Sequence, residues 1–137
     1  MQLKDPSLFK QACLIGGKWV SAADGAVISV HNPADNSLIG TVPKLGRKET
    51  AEAVAEAKKA WPAWKALLPL QRGEILRRWH ALIMENVDDL AMVMTLEQGK
   101  PLREAKLEVL AAADTYDWYA EEGRRNYGRL VPGKTPT

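Results

Sequence analysis

The stretch Thr95–Pro101, "TLEQGKP", decides how the second half of this chain is read. It breaks a long helical pattern with a carboxylate, an amide, a glycine, a lysine and a proline in succession. Local rules make it a junction. Gly99 is free to take the positive φ that closes a helix, Lys100 complements the negative end of the helix dipole, and Pro101 suits the first turn of the next helix.

Working outward, Val87, Leu90, Ala91 and Met94 share one face, predicting a short helix over about Asp88–Leu96 with Asn86 as its N-cap. On the other side, Leu102, Ala105, Val109, Ala112, Tyr116 and Tyr119 predict the apolar face of a helix from Pro101 to about Arg125. Upstream, Val54, Ala57, Trp61 and Trp64 recur at helical spacing, and Pro62 is expected to end or kink that helix. A further helix is predicted from Pro69, with Ile75, Leu76, Trp79, Leu82 and Ile83 as its buried stripe.

Before Gly46 the period is that of strands. "CLI" and "KWV" flank Gly16-Gly17, a hairpin pattern. Asp24-Gly25 offers a second hairpin turn of type I′. "AVISV" supplies a strand, "NPADNS" is turn chemistry, and "LIGTV" is a strand that Pro43 ends. The fold class read from the residues is α+β and mostly helical, with short antiparallel β-strands followed by four helices. It divides into a β-hairpin region (12–45), a helical region (46–128) and a Gly- and Pro-containing connector (129–137).

A hydrophobic fraction of 46% and a charged fraction of 26% are those of an ordinary globular domain. The net charge of +2, from 19 basic and 17 acidic residues, argues for neither a nucleic-acid nor a membrane partner. The opening "MQLKDPSLFK" has charges and a proline where a signal peptide needs an apolar run. No apolar run approaches the roughly 18 residues of a membrane span. One cysteine, Cys13, cannot form an internal disulfide, which suits a cytoplasmic setting.

Few residues carry chemistry. Cys13 lies in an apolar strand pattern, with no neighbouring histidine or helix N-terminus to activate it. His31 and His80 are far apart and lack metal-ligand companions. There is no GxGxxG and no GxxxxGK[ST] pattern. Arg72/Arg77/Arg78 and Arg124/Arg125/Arg129 fit a solvated face or a salt-bridged interface better than an anion site. Glu104, Glu108, Asp114, Asp117, Glu121 and Glu122 fit a solvated helix face. On residues alone no catalytic constellation is visible.

Read together, "LIGGKWV", "VHNPADNSLIGTVP", "AWPAWKALLPLQRGEILRRWHALI", "LAMVMTLEQGKPLREAKLEV" and "YAEEGRRNYGRLVPG" resemble the amino-terminal portion of the aldehyde dehydrogenase superfamily. They occur in the family's order and spacing over residues 13 to 133. "TLEQGKPLREAK" and "YAEEGRRNYG" are most similar to the succinate-semialdehyde dehydrogenase branch.

The resemblance implies part of the family's α/β fold and an enzyme oxidising a small-molecule aldehyde to a carboxylate with NAD or NADP. It implies a homo-oligomer that acts through a cysteine thiolate, a water-activating glutamate and an oxyanion-binding asparagine. Those groups and the coenzyme loops lie beyond Thr137 in the family, and Cys13 is not at the catalytic position. The chain is therefore expected to be an inactive fragment that binds no coenzyme alone. A non-enzymatic helical interaction or oligomerisation module is the other reading. In some members a monovalent cation is held by backbone carbonyls near the "NP" turn and by the acid of the "TLEQGK" motif; the matching residues are Val30, His31 and Glu97. Finishing a helix is the favoured reading of Glu97 over ligation. Leu107 and Ala111 match positions at the substrate entrance, with core packing as the alternative.

Overall fold

The computed structural model describes residues 2–129 and 131. The connector expected over 129–137 lies outside the described residues apart from Arg129 and Val131. Two antiparallel ribbons come first: β1 (Cys13–Ile15) pairs with β2 (Lys18–Val20), and β3 (Val27–His31) with β4 (Leu38–Pro43). Four helices follow, α1 (Arg47–Ala66), α2 (Pro69–Glu85), α3 (Val87–Gln98) and α4 (Leu102–Glu122).

The Gly16-Gly17 hairpin forms as expected, with both glycines at positive φ and Cys13 opposite Val20. Asp24-Gly25 does not make a second hairpin, because β2 and β3 belong to separate sheets. Its φ is positive only at Gly25, and the Asp24 carboxylate accepts the Ala26 N–H at 2.9 Å. That side-chain bond closes a local turn instead of a two-residue I′ hairpin. The true hairpin turn is Asn32–Ser37: the Asn32 N–H meets the Ser37 carbonyl at 2.9 Å, and Asn36 takes φ of 59°.

A side chain three residues into each of the first two helices reaches back to cap its start. The Glu49 carboxylate accepts the Gly46 N–H at 3.0 Å, and the Gln71 amide oxygen accepts the Leu68 N–H at 2.8 Å. Pro62 does not end α1, which runs on to Ala66. The carbonyl of Lys58, four residues back, loses its helical partner there, but both residues are exposed and water can replace it. Asn86 sits at the head of α3 without capping it through its side chain. Its amide donates instead to the Leu82 carbonyl at 2.8 Å, finishing α2.

The core lies where α2, α3 and α4 meet. Val87, Ala91, Ala105 and Val109 are buried, with Ile83, Leu90, Met94 and Leu110 packed around them. Small residues set the spacing between α2 and α4. A methyl group placed on Gly73 would lie 2.9 Å from the Ala120 carbonyl oxygen, so the two backbones touch. This contact rotates both stripes from their expected positions. On α2 the buried face includes Gly73, while Ile75, Trp79 and Leu82 are largely exposed. On α4 the buried residues are Ala105, Val109, Ala113 and Ala120, whereas Leu102, Ala112 and Tyr119 face out. Trp79 still stacks on Tyr116, ring centroids 4.4 Å apart.

Charges tie the same layer together. The Arg77 guanidinium meets Glu121 at 2.6 Å, so at least one of the expected arginine groups is a salt-bridged interface. Lys100 is not simply facing the dipole of α3, since its ammonium pairs with Glu108 on α4. That pairing also answers the like charge of Glu104, one helical turn before Glu108.

Candidate functional site

The junction that organises the helices also brings the turn at Pro33 to the end of α3. Gly99 closes α3 at φ 74°, its N–H bonding the Thr95 carbonyl at 2.8 Å. A methyl group on Gly99 would fall 2.8 Å from Cγ of Pro33, so the "NP" turn rests directly on the end of α3. Two stretches more than sixty residues apart in sequence thus become neighbours.

The turn is stiff. The Asn32 side chain accepts the Ala34 N–H at 3.0 Å, and the Asp35 carboxylate accepts the Ser37 N–H at 2.9 Å. The register of β3 against β4 shifts between Val30 and His31, a local break in the ladder. His31 Nδ1 lies 3.1 Å from the Asn36 carbonyl, so that nitrogen carries the proton and the ring serves the turn. Backbone carbonyls are what Val30 and His31 can offer a ligand.

Glu97 lies exposed in the last turn of α3 and forms no ion pair among the described residues. It sits on the rim of a groove of about 420 Å³ whose walls include Leu8, Leu90, Met94 and Tyr116. Carbonyl oxygens and one carboxylate are hard donors, the set that suits an alkali or alkaline-earth cation. No group of three or more His, Cys, Asp or Glu side chains converges among the described residues. Backbone carbonyls and a single carboxylate are oxygen donors, which suit hard cations as a class.

Leu107 and Ala111 both lie exposed on α4, Leu107 at 58%, away from the Ala105–Val109–Ala113 stripe. Neither packs into the core of the described residues. Cys13 is half-buried in β1, paired across the ribbon with Val20.

Sequence reasoning missed Asp89, the one buried charged residue among those described. Its two oxygens accept the backbone N–H groups of Lys4 and Asp5 at 2.9 and 2.8 Å. An aspartate in a first helical turn reads as a complement to the dipole, and partners more than eighty residues away leave no local pattern. Beside it, Asp88 bridges Lys106 and Lys4 at 2.6 and 3.0 Å. Hydrogen bonds and charge from those two ammonium groups hold its carboxyl down to about 2.

The model of the aldehyde dehydrogenase family matches residues 19–137. The chain belongs to the aldehyde dehydrogenase family. It is 53% identical over 99% of its length to a glutarate-semialdehyde dehydrogenase of Pseudomonas putida. It is 52% identical over 97% of its length to a succinate-semialdehyde dehydrogenase [NADP(+)] of Escherichia coli K12. A crystal structure of an E. coli NADP dependent enzyme superposes on 98% of the chain with a TM-score of 0.94 and 51% identity. A succinate-semialdehyde dehydrogenase from Burkholderia pseudomallei does so with a TM-score of 0.94 and 45% identity. The chain spans about 28% of the length of each of these relatives. The ribbons and four helices are thus the family's amino-terminal architecture, as the resemblance implied. No helix among the described residues is long and apolar enough to cross a membrane.

Proposed function

We propose that this chain is the amino-terminal scaffold of a cytoplasmic, homo-oligomeric, NAD(P)-dependent aldehyde dehydrogenase that oxidises a short dicarboxylic semialdehyde, succinate or glutarate semialdehyde, to its acid. The observation that carries this reading is the identity above 50%, over nearly the whole chain, to enzymes named for both substrates. The catalytic cysteine, the glutamate and the coenzyme loops belong to further protein, and this segment supplies none of them. NAD or NADP, when bound, accepts the hydride. The residues here hold the shape against which that machinery packs, with Leu107 and Ala111 at the substrate entrance.

The reading frame past Thr137 tests this directly. Continuation into a coenzyme-binding segment and a catalytic cysteine is expected. In the complete enzyme, Leu107→Trp should then raise KM for the semialdehyde with little change in kcat. The second reading, a helical interaction module, is favoured by the exposed Trp61, Leu68, Trp79 and Trp118. A frame that ends at Thr137 would support it instead.

The Val30 and His31 carbonyls and the Glu97 carboxylate form the proposed monovalent-cation site. Replacing choline by sodium or potassium at constant ionic strength should raise Tm by about 1–3 °C, as expected for one weak site. Glu97→Gln should abolish that difference. An equal shift in wild type and variant would remove the site.

A further inference from the structure

The first residues of the chain run between the two parts of the fold and touch both. At one end, Asp89 on α3 grips the backbone N–H groups of Lys4 and Asp5, and the Lys4 ammonium meets Asp88. Asp5 then caps a 3-10 turn, Pro6–Leu8, its carboxylate accepting the Ser7 N–H at 2.9 Å. That turn sends successive side chains to different partners. Leu8 enters the groove walled by Ile83, Leu90 and Met94. Phe9 covers Gly40 of β4, where an added methyl group would lie 2.9 Å from its ring. At the far end the Gln11 amide oxygen accepts the Thr41 N–H at 2.7 Å.

Direct contacts from the β3–β4 ribbon to the helices are otherwise sparse among the described residues, the approach of Pro33 to Gly99 being one of them. An isolated two-stranded ribbon is marginal in water. What holds this one in place must come largely from outside it.

We propose that residues 4–11 form a strap, latched to α3 by Asp89 and to Gly40 and Thr41 of β4 by its own Phe9 and Gln11, that seats the β3–β4 ribbon on the helical layer. The strap controls the ribbon's opening separately from the unfolding of α2–α4. Asp89 is the latch because a buried carboxylate carrying two backbone N–H groups loses both when the strap lifts. Leu8 and Phe9 make the strap a wedge, since lifting it exposes apolar surface on both sides at once.

Hydrogen exchange of the 137-residue chain tests this in two variants. Asp89→Ala removes the latch on α3, and Phe9→Ala removes the ring that covers Gly40 on the ribbon. Both should speed exchange across 27–31 and 38–43 about tenfold or more, the equivalent of losing one buried hydrogen bond or aromatic contact. Protection in α2 and α4 should stay at its wild-type value. Ribbon protection unchanged in Phe9→Ala, or helices and ribbon loosened equally by it, would overturn the strap. If Asp89→Ala fails to fold, the Phe9→Ala result decides alone.

Discussion

Gly99→Ala is expected to destabilise the chain by about 2–4 kcal/mol, the largest loss from any single added methyl group here. Two independent costs coincide at this position. The backbone holds φ at 74°, where a Cβ crowds its own carbonyl. The new methyl would also stand 2.8 Å from Cγ of Pro33, inside van der Waals contact. Pro33 is held by a turn braced with several side-chain bonds, so it cannot simply step aside. Urea unfolding checks this through a lower midpoint at unchanged m. A double-mutant cycle with Pro33→Ala separates the costs. Without the proline ring the steric part should be recovered and the φ part should remain. Additive losses would mean that the turn and the end of α3 do not touch.

The second large effect is a test against helix propensity. Ala is favoured over Gly by about 1 kcal/mol inside a helix, so Gly73→Ala should stabilise α2 if nothing faced it. The Ala120 carbonyl does face it, 2.9 Å from the new methyl, and backbone yields less readily than a side-chain tip. Pushing α4 back also disturbs the fully buried Ala105 and Ala113. Overpacking of this kind costs about 1–3 kcal/mol, so the propensity gain is cancelled and a net loss of up to about 2 kcal/mol is expected. Glu74→Ala, exposed and one residue along, should stay within about 0.5 kcal/mol of wild type. A stabilised Gly73→Ala protein would show that α2 and α4 do not approach so closely.

These two glycines also show what was legible in the sequence and what was not. Gly99 was legible as a helix end because its neighbours, a helical stripe before it and Lys100-Pro101 after it, make a local pattern. Its contact with Pro33 was not, since nothing near Gly99 refers to the turn at residue 33. Gly73 carried no local message at all. Ile75, Trp79 and Leu82 outweigh it in any hydrophobic count, yet closeness of backbones, not bulk, chose the inner face of α2. The stripe of α4 departs from its periodicity for the same reason, small Ala113 and Ala120 lying inside and large Tyr119 outside. Gly16-Gly17 is legible because a two-residue hairpin is wholly local. Asp24-Gly25 misled because the Asp24 side chain offered a competing turn. Among the site residues, Val30, His31 and Glu97 came from resemblance to a family. No periodicity points to a backbone carbonyl as a ligand.

The exposed aromatic and aliphatic side chains follow from the same picture. No large side chain is fully buried among the described residues, and Trp61, Leu68, Trp79, Leu82 and Trp118 are all more than half exposed. Faces of that kind suit a segment that packs against more protein. The chain matches about 28% of the length of its relatives.

The most direct measurement is an assay of the purified 137-residue chain with succinate and glutarate semialdehyde and either NAD or NADP, after circular dichroism has shown its helices to be formed. No reduced nicotinamide should accumulate with any pairing. Sustained, enzyme-dependent reduction of either coenzyme would contradict the assignment of this chain as scaffold and place a catalytic centre within it.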